Sequence, residues 1–267
     1  MNIGNEIYQR IDQARNGLFA QGELAQLTYL ALESAAKNVQ EGSPEDIEIS
    51  YPIGYRPDKS PISGSNIYKK QELIDKYAYL GNHQLAINGV YQLVAIIEAL
   101  MGDVLRKVVL AFPNKIGSKR MIKSSIILAA SSIEEIHLQT VDSVLNELAY
   151  KSPKDFAEEC KNLLSVNLLE CPPFHKYMEI KATRDIYIHN QGVANDIYIQ
   201  KASSHSRVRS GQFLPIDTIY FLEGYESCLQ ITEWLEQSLH EVWHSSELEE
   251  YKERRVPNVQ QENAVDA

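Results

Sequence analysis

The chain has 267 residues, 44% of them hydrophobic, and a formal net charge of −10. That is enough apolar material for one large domain or two modest ones, and it excludes a disordered chain. The acidic balance repels nucleic acid and anionic membrane on average, so a polyanionic partner has to be met by a local basic patch.

The opening segment MNIGNEIYQRIDQ places charges where a signal peptide needs its apolar run. No window approaches the roughly 18 apolar residues of a membrane span, so a soluble cytoplasmic protein with no membrane partner is expected. NEIYQRIDQARNGLF and ELAQLTYLALESAAKNV both repeat apolar residues every three to four positions, which predicts a helical hairpin broken at Gly22. Residues 41–66 hold four of the ten prolines, three glycines and the one convincing alternating stretch, which together predict a long loop with room for a short strand. The expected organisation is an N-terminal helical hairpin plus loop over 1–68, a helical domain over 69–254 and a disordered tail over 255–267.

HQLAINGVYQLVAIIEALMGDVLRKVVLAF predicts the central core helix, ending at Pro113. Glu98 sits among Ile96, Ile97 and Leu100, a costly place for a carboxylate unless it faces a partner, a site or water, and it reads as an edge-of-stripe residue. Two further helical stretches follow, the second opened by Ser152 as N-cap and Pro153 in the first turn. CPPFHKYMEIKATRDIYIHNQG starts another helix on its paired prolines and ends it near Gly192. After a short helix and an irregular basic segment, a last long helix is expected from about Asp217 to Arg254. The three cysteines, Cys160, Cys171 and Cys228, have no CxxC spacing and read as core thiols of a reducing compartment. His83, His137 and His175 read as residues without a special role.

TRDIYIHNQG concentrates chemistry near the end of an otherwise apolar helix. Arg184 offers a permanent charge with a planar fork suited to phosphate oxygens. Asp185 and His189 are four apart and share a helix face, so the carboxylate is expected to orient the imidazole. The helix C-terminus favours the imidazolium, and Asn190 adds an amide. Arg184 and His189 are five apart, about 140° around an ideal helix, so one straight helix does not aim both at one point.

RDIYIHNQGVANDIYIQKA is similar to the signature of the HEPN superfamily, in which an arginine and a polar residue are followed, three positions on, by a histidine, often with Asn and Gly behind it. The likeness covers about residues 82–245 and is specific around the motif. It implies an all-α helical bundle with this chain's first 68 residues as an extension. It also implies a metal-independent endoribonuclease of toxin-antitoxin or antiphage type, needing no cofactor and working as a homodimer whose motifs face each other across a cleft. By resemblance Arg184 and His189 take the catalytic positions and Asp185 the polar slot, while a cognate antitoxin or trigger protein is an expected partner. Some relatives carry a modifiable tyrosine two residues after the histidine; here that residue is Gln191, so that regulation is not expected.

RNA supplies its own nucleophile, the 2′-hydroxyl, so the protein needs a proton donor or acceptor and positive charge at the phosphorane. The strand would be held by Lys201, His205, Arg207 and Arg209 in one basic segment, and by Lys119 and Arg120 in a second. Two readings compete. One is a non-catalytic HEPN module that binds nucleotide or protein. The other, more remote, is a zinc peptidase built on LHEVWH, which matches HExxH through His240, Glu241 and His244, although the alternation of Leu235, Leu239, Val242 and Trp243 looks like helix packing.

Overall fold

The computed structural model describes residues 2–42, 44–117, 121–149 and 151–255. It is helical apart from one two-stranded sheet among the described residues. Contacts divide the chain into two compact units, one drawn from residues 1–19, 93–214 and 224–267, the other from residues 20–92 and 215–223. The boundary expected near residue 68 falls inside the second unit.

The predicted hairpin is one 40-residue helix, α1 (Ile3–Gly42). Gly22 does not break it, because a single interior glycine costs only about 1 kcal/mol and its neighbours Gln21, Glu23, Leu24 and Ala25 all favour helix. The predicted loop is likewise a β-hairpin, β1 (Asp46–Tyr55) paired antiparallel with β2 (Pro61–Lys69), with a register shift between Pro52 and Gly54. β2 escapes a pattern reading because serines and a glycine dilute its alternation, and Pro61 is tolerated as the first residue of a strand. Its turn is held by Asp58, which accepts from the backbone N–H and the hydroxyl of Ser60 at 2.9 and 2.7 Å.

Three helical segments follow in direct succession: α2 (Lys70–Tyr79), a π-helical turn (Leu80–Gln84) and α3 (Leu85–Ala111). Within the second unit, the π turn presents His83, whose Nδ1 lies 3.2 Å from the carbonyl of Ile216. Leu93, Ile97, Leu100, Val104 and Val108 recur at helical spacing on α3 and are almost fully buried, the core face expected of this segment.

In the first unit α4 (Ser124–Ala129), α5 (Ile133–Ala149), α6 (Pro153–Leu164), α7 (Pro172–Asn190) and α8 (Asp196–Ala202) precede the last two helices. Ser152 caps α6 as expected, accepting from Asp155 N at 3.2 Å. The predicted final helix is two, α9 (Thr218–Val242) and α10 (Ser246–Arg255). Ser245 makes the break: its N–H donates to Nδ1 of His240 at 3.1 Å and its Oγ accepts from Leu248 N at 3.2 Å, capping α10. The start of α1 passes so close to this corner that a Cβ on Gly4 would lie 2.1 Å from the carbonyl oxygen of His244. The expected disordered tail lies outside the described residues beyond Arg255. Cys160, Cys171 and Cys228 are buried thiols, as expected.

Candidate active site

α7 carries the motif. Pro172 and Pro173 occupy its first positions, where a missing N–H costs nothing. Phe174, Tyr177, Ile180 and Ile186 bury one face, and Lys181, Arg184, Asp185 and His189 form a polar stripe beside it. The helix ends through Gln191 in the left-handed region and Gly192 at φ 81°, with Gly192 N donating to Ile186 O at 3.3 Å, a Schellman closure. Gly192 also meets the ring of Phe213, which a Cβ would approach to 2.7 Å. Residues 192–194 then pair with 211–214, and Tyr187 OH donates to Leu214 O at 2.6 Å, so both sides of the motif's last turn are clamped.

Arg184, Asp185, His189 and Asn190 line one cavity of about 500 Å³, together with Glu98, Lys181 and Lys201. The angular separation of Arg184 and His189 is thus met by a wide cavity rather than by convergence on a point. Glu98 accepts from Nη2 of Arg184 with both oxygens at 2.9 Å, and Lys181 Nζ lies 2.6 Å from its Oε1. Arg184 Nε is buried without a hydrogen bond, although Asp185 Oδ1 is only 3.1 Å away. The two observations agree once direction is considered: the carboxylate is near enough for Coulomb attraction but off the N–H axis. Beneath the cluster, burial and then the charge of Glu98 hold the phenol of Tyr177 well above its ordinary pKa, so it stays neutral.

The expected Asp185–His189 pair is not formed among the described residues. Asp185 turns to Lys201, whose Nζ is 3.0 Å from Oδ2, and to Arg184. Two permanent cations, Arg184 and Lys201, thus hold the carboxylate that was expected to orient the imidazole. His189 stays exposed, with both ring nitrogens unengaged among the described residues. Asn190 is committed locally, its Nδ2 donating to Val193 O across the turn.

The basic segment is mostly spoken for. Arg207, expected on RNA, donates from Nε to Glu179 at 3.0 Å. Glu179 is fully buried and also accepts from Thr183 Oγ1 at 2.7 Å and Tyr198 OH at 2.9 Å. A carboxylate taken out of water needs such a counter-charge, which explains why Arg207 turns inward. Lys201 belongs to the cavity. His205 lies parallel to His175 at 6.0 Å between ring centroids, and Arg209 is exposed. Lys119 and Arg120 lie outside the described residues.

The HExxH residues do not form the expected helical pair, since α9 ends at Val242 and leaves His244 in the turn. His240, His244 and Glu249 do bring ligand atoms within 4.8 Å of one another. However, Nδ1 of His240 accepts from Ser245 N, which places the neutral ring's proton on Nε2, donated to Glu249 at 2.7 Å. A metal on Nε2 would force a proton onto Nδ1, facing another donor, so these residues fit a helix corner better than a metal.

Lys181 is the residue missed by sequence reading. It stands three before Arg184, on the same face, and only the fold shows the shared carboxylate. Glu98 carried a signal in its position among isoleucines. A slightly larger cavity of about 580 Å³ lies between the end of α3 and α5, lined chiefly by aliphatic side chains such as Val109, Ile122 and Val141, and holds none of the motif residues. No helix among the described residues is long and apolar enough to cross a membrane. No family model, curated protein or solved structure matches the chain.

Proposed function

We propose that this protein is a HEPN-type endoribonuclease that cuts RNA without a metal, in a toxin or defence setting. One observation carries the reading: Arg184 and His189 open onto a single cavity whose walls add Lys181 and Lys201. The 2′-hydroxyl attacks the adjacent phosphorus and expels the 5′-oxygen, leaving a 2′,3′-cyclic phosphate and a 5′-hydroxyl. His189, exposed and with both nitrogens unengaged, moves the proton, and Arg184 with its neighbouring lysines stabilises charge on the phosphorane. A volume near 500 Å³ accommodates a nucleotide. A second copy of the chain would bring a second motif to the exposed His189, completing a composite site. The HEPN-like bundle, the homodimer and a cognate antitoxin or trigger protein belong to the same proposal. Incubating single-stranded RNA with purified protein and determining the product ends tests it.

The second reading, a non-catalytic module that binds nucleotide or protein, is favoured by a different observation. Arg184 and Lys201 already pair with carboxylates, as a structural cluster would. Loss of cleavage in His189→Ala separates the two readings, because a binding module has no cleavage to lose.

A further inference from the structure

We infer that Glu98 is a positioning residue for RNA cleavage, fixing the Arg184 guanidinium in the cavity so that its Nη1 N–H groups meet the phosphate; this rests on the ribonuclease reading. Glu98 comes from α3, 86 residues before the motif, and the motif itself gives no reason for a carboxylate there. Three observations point to positioning. Both oxygens are used on one nitrogen of Arg184, Nη2, while Nη1 has no hydrogen bond among the described residues. An end-held guanidinium keeps a donor edge for a ligand, which a two-nitrogen fork to the carboxylate would have consumed. Lys181 Nζ sits on the same carboxylate at 2.6 Å, so Glu98 gathers two cations at one wall of the cavity. Finally, Nε of Arg184 is buried and unsatisfied, a conformation the side chain would leave without an external hold.

The alternative is that Glu98 merely neutralises Arg184 and competes with substrate. The two differ in which kinetic constant responds. A competitor, once removed, lets RNA bind more tightly and leaves turnover intact; a positioning residue, once removed, lowers turnover because the charge is no longer placed where the phosphorane forms.

Cleavage kinetics of the full-length protein decide, with His189→Ala as the inactive reference and circular dichroism and melting curves as folding controls. Glu98→Gln is expected to lower kcat by about tenfold or more, with KM unchanged or lower because a negative charge has left the cavity. Glu98→Asp, which keeps the charge but withdraws it by one methylene, is expected to recover part of that loss, and it serves as the deciding variant should Glu98→Gln fold poorly. In an Arg184→Ala background Glu98→Gln should cause no further loss, since its effect passes through the guanidinium. Wild-type turnover in Glu98→Gln, or an equal loss with Arg184 already absent, overturns the inference while the ribonuclease reading stands. Wild-type protein that cleaves no more RNA than His189→Ala overturns both.

Discussion

Nη2 of Arg184 lies 2.9 Å from each carboxylate oxygen of Glu98, joining the motif helix to the core helix across 86 residues of chain. The side chains are 20% and 36% exposed, so the pair is partly screened. Arg184→Ala is therefore expected to destabilise the protein by about 1–3 kcal/mol, above a surface pair and below a dry one. Lys181 remains on Glu98 and limits the damage. Urea unfolding of the single and double variants measures this, and a coupling energy near zero between Arg184 and Glu98 would contradict the geometry.

Arg207 and Arg209 stand two residues apart yet should behave oppositely. Arg207→Ala removes the guanidinium that donates to the fully buried Glu179 at 3.0 Å and is expected to cost about 3–5 kcal/mol. Arg209 is exposed, and its replacement by Ala should stay within about 0.5 kcal/mol while weakening RNA binding. Melting temperatures and filter-binding titrations on the two variants check both statements.

Gly192 is held at φ 81° with the Phe213 ring where a Cβ would go. Gly192→Ala combines backbone strain with overpacking and should cost about 2–4 kcal/mol. Phe213→Ala placed behind it removes the clash and should restore part of the stability, leaving the cost of the positive φ and of the lost edge contact with Tyr187. Thermal melts of the two variants test the order.

Burial raises the thiol of Cys171 to about 11 and that of Cys228 to about 12, from an ordinary value of 9.0. Below pH 9 both forms of the chain keep these protons and stability is unaffected by them. Above it the unfolded chain ionises first, so stability falls as pH rises from about 9 towards 12. Cys228→Ala should flatten that fall, as followed by chemical denaturation across the range. Neither thiol should react with Ellman's reagent at pH 8 in the native protein.

The helix corner formed by His240, Ser245 and Glu249 should hold no zinc. Elemental analysis of untagged protein is expected to give well under one metal per chain, and chelator treatment should leave the melting temperature unchanged. A stoichiometric zinc lost in His244→Ala would contradict the tautomer argument.

Sequence reading found the parts that depend on local chemistry. The α7 start at Pro172, its end just before Gly192, the Ser152 cap and the apolar stripe of α3 follow from backbone restriction and periodicity, which act over a few residues. It failed where a weak local signal competed with a long-range contact. Gly22 was read as a break although its cost is small beside α1's helix-forming neighbours, and β2 was invisible because its pairing with β1, not its own pattern, makes it a strand. The Ser245 cap escaped notice because SSELEE lies in a continuous polar run that is equally compatible with an unbroken helix. At the candidate site the sequence placed Arg184 and His189 correctly on one helix end, and it flagged Glu98 by its apolar surroundings. It could not show that Asp185 prefers Lys201 to His189, or that Arg207 turns to Glu179, because both choices are made by residues brought together only by the packing of α7, α8 and the segment behind them.

The central claim is that His189 performs chemistry at this cavity. End-labelled single-stranded RNA incubated with wild-type protein and with His189→Ala, each shown to be folded, tests it most directly. The expected result is fragments ending in 2′,3′-cyclic phosphate and 5′-hydroxyl from the wild type and none from the variant. Intact RNA with both proteins, or equal cleavage by both, would contradict it.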